Sequence, residues 1–276
     1  MSAIALALGA SLTWGFADFF GPLKGRTFGA LRVLVYVQLG GLFVIAVIVA
    51  IRGRGPEDAA ALLAIPAAIS GTLGLYAYYR GMAVGAMSIV APIAGVSALV
   101  PVVFGIVTGD RPSVWQLLGI ACALAGVFLA SREPGRAGSR LAAGVGLALL
   151  AALGFGGYFP PMHAAGNADF WWAAFIFRMT STTVILLAVA VVRPSLAMPP
   201  PQVPVLALIG IGDMLGNLLF AAASTSGLVS VTSVLASLYP IVTVVLARIV
   251  LKERVARSQE AGVGLTLAGV ALISAG

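Results

Sequence analysis

One aspartate, Asp213, lies in the middle of the apolar stretch 203–224, which is long enough for a membrane-spanning helix. Asn217 follows it by four positions and Ser224 by eleven, so the three polar side chains share one helical face. An ionisable residue in a spanning helix is costly and usually faces a cavity or a partner. The pattern therefore predicts either a cavity wall with a proton-coupling carboxylate or an interhelical ion pair, with Arg178 as the candidate buried cation.

A second polar face is predicted in the apolar stretch 229–250. One face holds Ser230, Ser233, Ser237 and Pro240, which follow one another at helical spacings of three, four and three residues. A proline within a helix frees a backbone carbonyl, which is tolerated in a membrane only beside protein or water. We expect this face to line a substrate cavity, with close packing of small residues as the alternative.

Four aromatic residues are candidates for a substrate-binding wall: Trp14, Tyr76, Tyr79 and Phe155. Aromatic side chains near helix ends also form interfacial belts, which is the competing interpretation. Trp14 and Phe155 occupy equivalent places in the two halves of the chain, at an offset of 141 (155 minus 14). That symmetry favours a place for both in a central cavity.

The chain lacks the residues that several classes of protein require for their function. The chain has one histidine, His163, and one cysteine, Cys122, so no nucleophile–His–carboxylate set and no Cys/His metal cluster is expected. No glycine-rich phosphate loop with its lysine occurs, so neither ATP coupling nor a cofactor is predicted. The residues therefore indicate a protein that is not an enzyme.

The composition places most of this chain in lipid. Of 276 residues, 61% are hydrophobic and 9% are charged, and the mean hydropathy is +1.08. Soluble domains carry roughly 25% charged residues. The net charge of +7 comes from basic residues that stand singly in loops, which is typical of a membrane protein rather than of a nucleic-acid groove.

The apolar runs predict an all-α integral membrane protein with ten transmembrane helices. Each run approaches the length of about 20 residues that a bilayer requires. The predicted helices are 3–21, 30–51, 59–79, 83–107, 113–130, 141–161, 170–192, 203–224, 229–250 and 258–275.

The chain repeats itself after an odd number of these helices. Asp110-Arg111 returns as Glu253-Arg254, and Ala125-Gly126-Val127 returns as Ala268-Gly269-Val270, both at a spacing of 143 (253 minus 110). We expect two five-helix repeats, 1–131 and 141–276, joined by a cytoplasmic linker, 132–140. Because five is odd, the second repeat enters the membrane from the opposite side, and such inverted repeats are typical of transporters with a midplane site.

The basic residues predict an orientation. The loops after the odd-numbered helices hold twelve Lys and Arg residues, against three or four on the other side. The odd-numbered loops are therefore predicted to be cytoplasmic and both termini to lie outside. Asp18, near the end of the first helix, is expected to pair with Lys24 or Arg32.

At this level the chain resembles the EamA-type carriers of the drug/metabolite transporter superfamily. The resemblance rests on Trp14-Gly15, on an arginine early in helices two and seven (Arg32, Arg178), on the stretch 78–83 and on the two acidic-Arg pairs. Pro240 stands where the family has a helix-bending proline. The fourth helix departs from the family pattern, with Ser97 at the equivalent place and prolines at Pro92 and Pro101.

The resemblance implies a secondary transporter in a bacterial plasma (inner) membrane that works by alternating access. Its implied substrates are small organic metabolites, with export of amino acids as the first expectation. A proton-coupled exporter of drugs or toxic compounds is the alternative, and a channel or membrane enzyme is a more distant one. Partners are expected to be the small-molecule substrate and membrane lipid, without nucleic acid, and a monomer suffices because one chain holds both repeats.

Overall fold

In the first repeat, the described residues form five α-helices that pack mainly on helices of the second repeat. A computed structural model describes residues 2–56, 58–84, 94, 96–130, 141–250 and 257–275. Its first-half α-helices are α1 (Ala3–Phe28), α2 (Ala30–Arg52), α3 (Ala64–Val84), α4 (Leu99–Thr108) and α5 (Val114–Ala130). Short 3-10 turns, Ala59–Leu63 and Val96–Ala98, precede α3 and α4. The predicted linker 132–140 and Pro92 lie outside the described residues.

The first helix is longer than its predicted range of 3–21. The Ser2 hydroxyl accepts a hydrogen bond from the Ala5 N–H at 3.3 Å and so caps the start of α1. The helix ends at Gly29, whose φ of +89° is a conformation that glycine adopts readily. Because Gly29 alone separates α1 from α2, the first connection is a tight turn rather than a loop.

The second repeat begins with a helical segment that is too long for one span. Leu141–Val192 has 52 residues, or about 78 Å at the helical rise, against a hydrocarbon core of roughly 30 Å. Asp169 interrupts it with an extended backbone (φ −164°, ψ 108°), dividing it into α6 (141–168) and α7 (170–192). The Asp169 carboxylate accepts hydrogen bonds from the Trp171 and Trp172 N–H groups at 2.9 and 3.2 Å, and so caps α7.

The remaining helices are α8 (Gln202–Ser224), α9 (Val229–Ala236), α10 (Tyr239–Val250) and α11 (Arg257–Ala275). The single helix predicted over 229–250 is thus broken at Ser237 and Leu238. Pro240 explains the break, because it has no N–H to donate to the Ala236 carbonyl and its ring crowds that group. Pro101, in contrast, lies in the first turn of α4, where a missing N–H costs no intrahelical bond.

The predicted count of ten spans is not confirmed. Within the described ranges, five segments are long and apolar enough to cross a membrane: Ala3–Phe28, Ala30–Arg52, Ala59–Gly81, Gly146–Val192 and Gln202–Ser224. The other apolar helices are shorter, and one of them, Val229–Thr243, includes the break before Pro240. Within the described residues, the predicted all-helical class is confirmed.

Equivalent helices of the two repeats make equivalent contacts with the other repeat. The first helix of each repeat packs on the third helix of the other, α1 on α8 and α6 on α3. At the second of these contacts, a Cβ on Gly154 would lie 2.6 Å from the Cα of Gly74, so both backbones need glycine to approach this closely. The last helices of the repeats, α5 and α11, also pack on each other.

The distribution of side chains is that of a protein in lipid. Phe43, Ile51 and Val191 are more than two-thirds exposed, at 70%, 81% and 84%. Arg178 and Gln38 are, in contrast, almost completely buried, at 0% and 2%. These apolar side chains therefore face outward, and these polar side chains face the interior of the helix bundle, as a hydrocarbon solvent requires.

Candidate functional site

A cavity of about 70 Å³ lies between helices of both repeats. One water needs roughly 10–15 Å³ of such space, so the cavity accommodates about five waters or a small part of an organic molecule. The wall comes from α1, α2 and α3 of the first repeat and from α6, α7, α8 and α10 of the second. Its residues are Trp14, Asp18, Gln38, Gly71, Thr72, Leu75, Phe155, Tyr158, Phe159, Phe177, Asp213, Asn217 and Tyr239.

Aromatic rings form one side of this cavity. The Trp14 ring packs edge-on against Tyr158, with centroids 5.8 Å apart, and against Phe159 at 6.2 Å. Gly216 on α8 makes room for the indole, because a Cβ there would lie 2.5 Å from two of its ring atoms. Phe155 lies edge-on to Tyr239 at 6.4 Å. The structure thus brings Trp14 and Phe155, the symmetric pair, to the same cavity.

A buried ion pair forms the polar end of the cavity. The Arg178 guanidinium donates to the Asp213 carboxylate at 2.5 Å and to the Gln38 side-chain carbonyl. The Ser181 hydroxyl also donates to Gln38, at 3.1 Å. The ion pair considered from the sequence is therefore present, with Asp213 in the cavity wall and Arg178 behind it.

Asn217 continues the polar face of α8 into the cavity. It is 4% exposed, and its side-chain amide donates to the Asp213 backbone carbonyl at 2.8 Å. Ser224, the third residue of the predicted face, is buried and donates to the Ala221 carbonyl instead of lining the cavity.

Asp18 lies in the cavity wall and not in the ion pair that the sequence suggested. Lys24 donates instead to the Gln202 side chain at 2.8 Å, and Arg32 donates to the Ser195 carbonyl at 2.5 Å. With the residues that the structure describes, the Asp18 carboxylate makes no hydrogen bond and no ion pair. The expected pairing is wrong because both cations are held by α8 and by the 193–201 connection.

The serine face of α9 is buried but takes no part in the cavity lining. Ser230 donates from its backbone N–H and its hydroxyl to the Asp110 carboxylate, at 2.8 and 2.7 Å. Ser233 and Ser237 are 0% and 2% exposed, and their hydroxyls have no hydrogen-bond partner among the described residues. Pro240 is buried beside Tyr239, the lining residue of this region.

The two tyrosines predicted on α3 lie away from the cavity. Tyr76 is 37% exposed on the outer surface. Tyr79 is buried against α1, where a Cβ on Gly21 would lie 1.9 Å from its hydroxyl oxygen. Tyr78, next to it, packs on Phe155 at 5.9 Å between centroids and so supports the lining from behind.

Sequence reasoning missed much of the lining, including Gln38, Thr72 and Tyr158. Gln38 is an amide in a long apolar stretch, which is a signal of the same kind as the one that identified Asp213. Tyr158 follows Phe155 by three residues, so the helical period places both on one face.

Comparison with solved structures supports the architecture. A protein described only as "Crystal structure of protein" matches with a TM-score of 0.80 at 17% sequence identity, covering 99% of this chain and 98% of that chain. At that identity the likeness concerns the fold alone. No match was found among curated proteins.

A family model matches both halves of the chain separately, over residues 1–132 and 142–275. The described apolar spans and the outward-facing apolar side chains are those of a multi-pass membrane protein. The chain therefore belongs to the EamA-like transporter family, whose members are membrane transporters of the drug/metabolite type.

Proposed function

We propose that this transporter exports small organic metabolites, foremost amino acids, by alternating access, and that the 70 Å³ cavity is its substrate site. One observation carries the proposal: the cavity is walled by both repeats, with Trp14 and Gln38 from the first and Phe155 and Asp213 from the second. A site at the contact between two repeats can open to either side as one repeat moves against the other.

The packing around the cavity supports such a movement. The α3–α6 and α2–α8 contacts include close approaches of backbone atoms and small side chains: a Cβ on Gly40 would lie 2.5 Å from the Cα of Ala207. Smooth surfaces of this kind have few interlocked side chains to separate when helices slide.

Amino acids fit the chemistry of the wall. The aromatic rings can pack on an apolar side chain, and polar groups lie opposite them. Thr72 and Tyr158 hold hydroxyls that have no hydrogen-bond partner among the described residues, and such donors can be satisfied by a substrate carboxylate.

Counterflow in proteoliposomes tests this function. Vesicles loaded with one unlabelled amino acid at a time are assayed for uptake of the labelled one without a pH gradient. Uptake that depends on the internal amino acid is expected. Its absence for every amino acid, with correctly folded protein in the vesicles, would overturn the amino-acid assignment.

A proton-coupled exporter of drugs or toxic compounds is the second candidate, and the Asp213–Arg178 pair in the cavity wall favours it. Protonation of Asp213 would remove the charge that holds Arg178 and so link proton binding to the geometry of the site. In that case Asp213→Asn abolishes proton-driven efflux, whereas a facilitator for amino acids keeps its counterflow.

For the placement in the cell we propose a bacterial inner membrane, with the odd-numbered loops cytoplasmic and a monomer as the working unit. The excess of Lys and Arg in those loops supports the orientation. Single cysteines at Ser2 and Ala59, introduced after Cys122→Ser, test it, because both positions are predicted to lie outside. An impermeant thiol reagent applied to intact cells should label Ser2→Cys and Ala59→Cys, and labelling of neither position would contradict the orientation.

A further inference from the structure

We propose that the Asp18 carboxylate binds the ammonium group of the substrate, and that the cavity selects solutes with one net positive charge, simple amines above all, over zwitterions. The inference rests on the proposed carrier function for small organic metabolites and replaces zwitterionic amino acids, the first substrate class proposed above, with organic monocations. It starts from the one carboxylate in the wall that has no counter-ion among the described residues.

The charges around the cavity do not balance. Asp18 and Asp213 are the acidic residues of the wall, and the lining contains no Lys, Arg or His among the described residues. Arg178, behind the wall, neutralises Asp213 at 2.5 Å. With both carboxylates ionised, the site carries a charge of −1 before a substrate binds, and an uncompensated charge on the half-buried Asp18 is unfavourable in a largely apolar wall. A monocation removes the imbalance.

The aromatic wall adds to the attraction for a cation. Trp14, Tyr158 and Phe159 pack edge-on around the same space, and ring faces attract ammonium groups, most strongly in the case of tryptophan. The combination of one free carboxylate with several ring faces is the chemistry by which proteins recognise organic amines.

A zwitterion finds a less favourable site. Its carboxylate needs a cation or several donors, but the guanidinium of Arg178 is already bound by Asp213 and Gln38. What remains are neutral hydroxyls, at Thr72 and Tyr158. A zwitterion also leaves the net charge of the site at −1, because its own charges cancel.

Equilibrium binding of radiolabelled isoamylamine to purified protein in nanodiscs tests the inference. Competitors share one isobutyl group and differ in charge: isoamylamine and leucine methyl ester are monocations, leucine is a zwitterion and isocaproate is an anion. We expect both monocations to compete at least about tenfold more strongly than leucine, and isocaproate not to compete. Leucine competing as strongly as the amine would overturn the inference.

The variant Asp18→Asn should weaken amine binding by at least about tenfold, and Asp18→Glu should retain part of it. Asp58→Asn is the matched control, because this exposed carboxylate caps the 3-10 turn Ala59–Leu63 and an asparagine can cap it too. Unchanged amine binding in Asp18→Asn would contradict the proposal. Thermal unfolding of each variant establishes that it is folded.

The same amines in the counterflow assay separate the two claims. Counterflow of leucine at the rate of isoamylamine refutes the charge selection and leaves the carrier function standing. No counterflow of any solute by folded wild-type protein refutes the carrier function itself.

Discussion

Breaking the Arg178–Asp213 pair should destabilise the protein more than removing the whole pair. Arg178 is completely buried, and the Asp213 side chain is 15% exposed, at the cavity. Removal of one partner of a buried pair costs about 3–5 kcal/mol, because the other charge is left uncompensated. Asp213 retains some contact with the cavity, so we expect about 3 kcal/mol, at the lower end, for Arg178→Met. Methionine keeps an unbranched side chain in the space of the arginine stem.

A double-mutant cycle isolates the interaction from the loss of packing. The variants are Arg178→Met, Asp213→Asn and the combination, and the free energy of unfolding is measured by denaturing-detergent titration in mixed micelles. The double variant should be more stable than Arg178→Met, with a coupling energy of at least about 1 kcal/mol. Additive losses, with a coupling energy near zero, would refute the claim that this pair compensates charge in the interior.

Two further predictions concern packing and the cavity wall. Gly154→Ala should lower the free energy of unfolding by about 1–3 kcal/mol, because the new methyl group would lie 2.6 Å from Gly74, whereas Gly146→Ala, with open space at the same helix, should not lower it. Trp14→Ala should abolish most substrate counterflow because it opens the aromatic wall, and Tyr76→Ala, on the outer surface, should leave counterflow unchanged.

Both pairs contain their own control. Equal losses of stability at Gly154 and Gly146 would refute the claim that the close contact with Gly74 decides the cost, because alanine favours a helix over glycine at both positions. Equal losses of transport in the Trp14 and Tyr76 variants would place the substrate elsewhere in the protein.

The sequence reveals the parts of the site that stand out either by comparison of the two halves of the chain or by their charge within an apolar helix. Trp14 and Phe155 stand out because the repeat aligns them, and both line the cavity. Arg178 and Asp213 stand out because charge is costly in an apolar helix, and each compensates the charge of the other. These arguments need no knowledge of how the helices are arranged.

The remaining parts depend on which helix packs on which. Ser230 lies on a polar face, but its partner, Asp110, is distant in sequence, and their hydrogen bonds turn that face into a packing contact. Asp18 has two cations nearby in sequence, yet α8 and the 193–201 connection hold both of them. Local patterns identify polar residues, whereas the tertiary contacts decide which of them remain unpaired.

Filling the cavity tests most directly that the substrate binds there. Gly71 lies in the wall, and a methyl group on it would meet Phe177 and Tyr158 at ordinary contact distances of 3.5 to 3.6 Å, so Gly71→Ala should fold and transport. Gly71→Leu places an isobutyl group in a space of about 70 Å³. We expect counterflow of the substrate to persist in Gly71→Ala and to be lost in folded Gly71→Leu. Counterflow at the wild-type rate in Gly71→Leu would contradict the assignment of this cavity as the substrate site.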